Sequence, residues 1–204
     1  MRSSEREETP VLDVYLHDFV LSESDLTGKR ILDLGAGPRQ FAFESLTAEI
    51  NTRGVWSLDS REPWMATLRM IEMGRMMRAN SSVLKQWSEV GKRSIEGTME
   101  RLPFGEATFD LILSRDALTH VFDSALPMAE SLLEVVRVLA VGGEARIFPG
   151  WLTNWAENEK ERVWEAMKVL EGLPGIRVEL VQIERQFAGR PVEGVMMVLR
   201  KIGL

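Results

Sequence analysis

The stretch RILDLGAGPRQFAF, from Arg30 to Phe43, constrains the fold more than any other part of the chain. Its first residues, ILDLG, form a short apolar run of the kind found in strands buried on both faces. The run ends in the glycine-rich turn GAGPR and passes directly into a helical pattern. Such a turn exposes backbone N–H groups and the positive end of a helix dipole to a ligand. Strand, glycine turn and helix in that order open a parallel sheet covered by helices. A dinucleotide-binding turn has the form G-x-G-x-x-G, and its last glycine lets helix and strand pack closely. Here Gln40 stands at that position, which argues against NAD.

The remainder alternates strand and helix signals. VLDVYLHDFVL predicts an N-terminal helix over 10–21, and GVWSLD a second strand that ends on Asp59. RSIEGTM, FDLILSR and EARIFPG follow as third, fourth and fifth strands. Before the fifth, Ala125, Met128, Leu132, Val135 and Leu139 recur at helical spacing, giving one core-facing stripe. Gly142 and Gly143 come next and suit a helix end. After a further helix closed by Gly172, IRVELVQIE and GVMMVLRKI are joined too closely for a crossover, so they pair antiparallel. The fold class expected is α/β, a doubly wound sheet of seven strands, parallel except for one near the end. A chain of 204 residues suits one well-cored domain. The segment 61–93 is longer than a βα unit requires and reads as a helical, Met-rich insertion. Its Ala66, Met70, Met73 and Met77 share a face that either packs on the core or adapts to a hydrophobic substrate.

Composition narrows the chemistry. With no cysteine, disulfides, thiolate zinc sites and a cysteine nucleophile are excluded; no metal site and a cytoplasmic setting are expected. No apolar run approaches the ~20 residues of a membrane span, and the polar start does not read as a secretory signal. A net charge of −6 argues against a surface built for nucleic acid. Basic residues do predominate from Arg61 to Arg93, a local face able to attract an anionic substrate.

The pattern D-L-G-A-G, with Asp33 two residues before Gly35, resembles the first motif of the class I S-adenosylmethionine-dependent methyltransferases. Further on, EGTMERLPFGEATFDLILSRDALTHV is similar to the corresponding stretch of the methyltransferase type 11 group, as is EVVRVLAVGGEARI. The resemblance runs from Ile31 to Ile147. It implies a Rossmann-like fold that binds S-adenosylmethionine and releases S-adenosylhomocysteine. It further implies that Asp33, Gly35, Ala36 and Gly37 surround the methionine part of the cofactor. Asp59, some twenty residues beyond the glycine turn, would hold the ribose hydroxyls. Ser60 would lie beside the adenine, Thr98 and Met99 near its amino group, and Ser114 near the sulfonium. Two residues depart from the pattern. Arg39 replaces a third small residue, where a long side chain would crowd the loop or reach outward to an anion. Thr98 puts a neutral hydroxyl where the family has a carboxylate.

In such a reaction the protein mainly aligns the acceptor and excludes water. A base is needed only when the nucleophile carries a proton that it holds firmly. His120 and Asp116, just after the fourth strand, are the candidate catalytic residues, with Arg115 beside them. Tyr15 and His17, on the N-terminal helix, could close over the site, but a plain surface helix is the expectation. The N-P-P-[YF] strand end of many adenine and glutamine methyltransferases is missing, which favours a small-molecule acceptor. The alternatives are a non-catalytic module that binds a partner protein, or a methyltransferase acting on RNA or protein through the basic segment.

Overall fold

The structure is a computed structural model that describes residues 9–60, 81–187 and 190–203. The Met-rich part of the expected insertion, 61–80, lies outside the described residues. Two short helices, α1 (Val11–Asp18) and α2 (Glu23–Leu26), precede β1 (Arg30–Leu34), α3 (Gln40–Thr47) and β2 (Gly54–Asp59). Then come α4 (Ser81–Gly91), β3 (Ser94–Glu96), β4 (Phe109–Arg115), α5 (Ala125–Val138) and β5 (Leu139–Leu152). The chain ends with α6 (Glu157–Met167), β6 (Ile176–Phe187) and β7 (Arg190–Lys201).

The strands form one seven-stranded sheet in the order β3-β2-β1-β4-β5-β7-β6. Pairing is parallel from β3 through β5, and β7 runs antiparallel to both of its neighbours. The expected seven strands and single reversal are therefore present. The order turns back between β1 and β4, which opens a crevice beyond the carboxyl ends of these strands.

Each face of the sheet carries its own core, as the two-sided apolar strands require. On one face Leu32, Leu58 and Ile112 pack against Met128, Leu132 and Val135 of α5 and Val163 and Ala166 of α6. On the other, Ile31, Leu111 and Leu113 pack against Leu12 and Tyr15 of α1, Phe41 of α3 and Trp87 of α4. The burial of Met128, Leu132 and Val135 matches the predicted stripe on α5.

Several boundaries differ from those read in the sequence. The N-terminal helix stops at Asp18, and Val20 then takes a left-handed backbone, φ 52°. The third strand holds only three residues. Gly142 and Gly143 do not end α5, whose cap is the extended Leu139. They lie in β5 where its register with β4 shifts, and a Cβ on Gly143 would stand 2.9 Å from the Asp110 carbonyl oxygen. The pair serves a bulge, where an extra residue must be absorbed without a side chain.

Tyr15 is buried rather than exposed, so α1 is not the surface helix expected. Its hydroxyl donates to Asp33 Oδ1 at 3.0 Å, and its ring stacks on Phe41 with centroids 4.4 Å apart. Glu44 Oε2 accepts from the Leu12 amide at 2.6 Å, so α1 is fastened to both β1 and α3.

Burial raises the Asp33 carboxyl to about 7, against a smaller opposing effect of the Tyr15 hydrogen bond, while the Tyr15 phenol itself is pushed up. Between the ordinary carboxylate value and about 7, the folded chain thus holds a proton that the unfolded chain releases. Stability from this group is fully present below the ordinary value and is lost as pH rises through about 7. Chemical denaturation of wild type and Asp33→Asn across pH 4–8 should show the wild type losing about 1–4 kcal/mol more than the variant. Parallel pH curves would contradict this. Tyr15→Phe strands a buried carboxyl oxygen and should cost about 1–3 kcal/mol, measured in the same way.

Candidate cofactor and acceptor site

The glycine turn between β1 and α3 forms one wall of the crevice. The amides of Gly35 and Ala36 donate to the Leu58 carbonyl oxygen at 2.8 and 3.1 Å, which holds the turn against the end of β2. Gly35 has φ 80°, and a Cβ there would lie 2.2 Å from the Ala117 Cβ. Only glycine allows the loop after β4 to approach so closely. The Gly37 amide donates to Asp59 Oδ2 at 2.8 Å, fixing the acid at the end of β2 against the turn.

These elements border a cleft of about 460 Å³. Among the described residues, Gly35, Asp59, Ser60, Thr98, Met99 and Asp116 line it, and Leu58, Gly97, Glu100, Ala117, Val121 and Phe122 complete the wall. Six of the residues predicted for the site therefore meet in one place. A carboxylate accepts several hydrogen bonds at once, so the Gly37 contact does not by itself exclude hydroxyl hydrogens at Asp59.

The segment that follows the Thr98–Glu100 wall is clamped by α5. Glu134 Oε2 accepts from the Leu102 amide at 2.7 Å, and Arg137 donates to the carbonyl oxygens of Leu102 and Phe104 at 2.9 and 2.8 Å. The two side chains also pair with each other at 2.6 Å. The E-x-x-R spacing thus puts both charges on one turn of α5, where they hold the segment carrying Thr98 and Met99.

Four other predicted residues occupy different positions. Asp33 lies wholly buried beneath the turn, and its Oδ2 has no hydrogen-bond partner among the described residues. Ala36 is buried within the turn and Gly37 meets Asp59, so both shape the wall. Ser114 is fully buried, and its Oγ accepts from the Leu118 amide at 3.2 Å, supporting the turn after β4. Arg39 neither crowds the cleft nor reaches outward. It is 1% exposed, has a left-handed backbone of φ 61°, and its Nη1 donates to the Gly37 carbonyl oxygen at 2.7 Å. Its positive charge also draws the Asp33 carboxyl downward, against the effect of burial.

Of the two catalytic candidates, Asp116 lines the cleft, whereas His120 stands beside Asp116 and is not part of the described lining. Asp116 has φ 50°, a conformation acidic residues tolerate better than most. Its Oδ2 lies 2.9 Å from Arg185 Nη1 and 3.3 Å from Arg115 Nη1, and its Oδ1 lies 3.8 Å from His120 Nε2. Burial holds His120 below the ordinary imidazole value, while Asp116 pulls it upward. The ring meets Trp155 edge-on, with centroids 4.9 Å apart.

Arg185 and Asp18 also belong to this cluster and are not singled out by the sequence motifs. Asp18 accepts from Arg115 Nε at 2.8 Å and lies 3.8 Å from Arg185. His17, beside Asp18, is 63% exposed and does not line the cleft. The signal for Arg185 is its place in β6: it continues the alternation of Val181 and Ile183, whose side chains pack on the core.

Among the described residues, no helix is long and apolar enough to cross a membrane, and no cluster of acidic or histidine side chains could hold a metal ion. No curated protein matches the sequence. Solved structures do resemble the fold. A SAM-dependent methyltransferase from Methanosarcina mazei aligns over 97% of this chain and 99% of its own, with 17% identity and a TM-score of 0.59. The N-methyltransferase NodS from Bradyrhizobium japonicum, solved with S-adenosyl-L-homocysteine, aligns over 94% of this chain and 85% of its own, with 16% identity and a TM-score of 0.57. The [4+2]-cyclase SpnF aligns over 95% of this chain and 80% of its own, with 14% identity and a TM-score of 0.56. At these identities the likeness is one of fold. A family model described as a methyltransferase domain, however, matches residues 32–147, more than half of the chain. The chain belongs to this methyltransferase family, whose methyl donor is S-adenosylmethionine.

Proposed function

We propose that this chain, as one methyltransferase-like domain, transfers a methyl group from S-adenosylmethionine to a small-molecule acceptor. The observation that carries the reading is the cleft itself. It lies where the strand order reverses and is lined both by Asp59, fixed against the glycine turn, and by Asp116, which has His120 as a neighbour. The described lining holds three carboxylates, from Asp59, Glu100 and Asp116, and no cationic side chain. That charge suits a cofactor bearing a sulfonium.

In this reading Asp59 accepts the ribose hydroxyl hydrogens, while Ser60, Thr98 and Met99 flank the adenine. The Gly35–Gly37 turn lies along the methionine part, and Asp33 supports it from below. When bound, the cofactor supplies a methyl group already activated by its positive sulfur, so the protein has little bond-making chemistry to provide. Ser114 holds the turn after β4 in place. His120, whose imidazole burial holds below its ordinary value, can take a proton from an acceptor hydroxyl or amine. Phe122 and Val121 exclude water on the acceptor side. A cytoplasmic setting is part of the same proposal and accords with a chain that has no cysteine.

A partner-binding module without catalysis draws on Arg39, Thr98 and the basic, Met-rich insertion, of which only Arg39 is weighed by its course in the fold. Because that side chain turns inward, away from the cleft, it does not favour such a reading.

Calorimetric titration with S-adenosylhomocysteine should give binding in the micromolar range. Asp59→Ala should weaken it at least about tenfold, the loss of a charge-assisted hydrogen bond. Thr98→Asp restores an ionised acceptor beside the adenine and should tighten binding by up to about tenfold. No binding by the folded wild type would overturn the proposal, and an unchanged affinity in Asp59→Ala would remove Asp59 from the site.

A further inference from the structure

The acceptor end of the cleft depends on a residue contributed from the far edge of the sheet. Arg185 lies on β6, the last strand in the order, separated from β4 by β5 and β7. It is 5% exposed, and its guanidinium lies 5.2 Å from the centre of the Phe148 ring. From there Nη1 donates to Asp116 Oδ2 at 2.9 Å and lies 3.8 Å from Asp18 Oδ2. Arg115 bridges the same two acids from β4, with Nε on Asp18 at 2.8 Å and Nη1 3.3 Å from Asp116. The two arginines thus draw Asp116 Oδ2 inward. The other oxygen, Oδ1, is left facing His120 Nε2 at 3.8 Å, beyond hydrogen-bonding distance.

We propose that Arg185 is a positioning residue for the acceptor end: it holds the Asp116 carboxylate at a set distance from His120, so that the imidazole remains available to a proton-bearing acceptor. The proposal rests on the methyl-transfer reading of this cleft. A planar guanidinium can stack on Phe148 while reaching two acids, whereas a lysine ammonium carries the same charge on a single point. The distinction separates geometry from mere charge. Other charges around His120 are Glu159 and Arg162 of α6, which pull its protonation in opposite directions and remain in every variant below.

The chain has two histidines, so its imidazole resonances are assigned with His17→Gln and followed by NMR through a pH titration. Arg185→Lys keeps the charge but releases Asp116 to close on His120. The His120 pKa should then rise by about one unit. Asp116→Asn should lower it relative to wild type, and Arg185→Lys added to Asp116→Asn should produce no rise. S-adenosylhomocysteine affinity should stay within about twofold in Arg185→Lys, because Arg185 does not line the cofactor cleft. An unchanged His120 titration in folded Arg185→Lys, with cofactor binding intact, would overturn the positioning role alone. Should Arg185→Lys not fold, Asp116→Asn decides, since an unchanged His120 titration there would show that the carboxylate does not act on the imidazole. Failure of the wild type to bind S-adenosylhomocysteine would overturn both the role and the reading on which it rests.

Discussion

A carboxyl group shut away from water at the end of β1 constrains much of what surrounds it. Asp33 is fully buried, and in that position its charged form is strongly disfavoured unless donors or cations compensate. Tyr15 supplies a hydroxyl, which brings α1 onto the sheet, and Arg39 supplies a positive charge from within the glycine turn. The inward course of Arg39 follows from this demand. A left-handed arginine costs roughly 1–2 kcal/mol of backbone strain relative to glycine. The bond to the Gly37 carbonyl and the attraction of Asp33 offset that cost. One buried acid thereby links the N-terminal helix, the first strand and the loop that walls the cleft.

The second constraint is steric. Gly35 and Ala117 meet so closely that the loops after β1 and β4 form a continuous rim. Asp59 joins it through the Gly37 amide, and the Glu134–Arg137 pair fixes the segment opposite. Preorganisation of this kind suits a protein whose task is alignment, because the chemical reactivity comes with the methyl donor. The charged cluster around Asp116 is built differently. It consists of charged side chains from α1, β4, β6 and the loop after β4, so its geometry reflects ion pairing as much as packing.

Much of this was legible in the sequence, and the reasons are physical. Strands buried on both faces leave apolar runs, and the glycine turn marks where the first one ends. The acid at Asp59 sits at a strand end fixed by the same pattern, and the stripe on α5 follows helical periodicity. The residues that escaped are those whose partners are remote in the chain. Arg185 lies 69 positions from Asp116, and nothing local marks it except an alternation in which a cation continues an apolar face. Arg39 reads as a side chain that crowds the loop or reaches outward until Asp33 is known to be buried and drawn down by its charge. Tyr15 reads as part of a surface helix because the acid its hydroxyl meets is 18 residues away. The glycines at 142 and 143 carry a turn signal that does not say whether a helix ends or a strand bulges.

The central claim is that the cleft between the glycine turn and the strap holding Thr98 binds the methyl donor. Amide NMR of isotopically labelled protein, recorded with and without S-adenosylhomocysteine, tests it residue by residue. The account predicts the largest shifts at Gly35, Gly37, Ser60, Thr98 and Met99. Shifts absent from these amides, or confined to the groove between α3 and α4 lined by Ser45, Arg53 and Arg93, would contradict it.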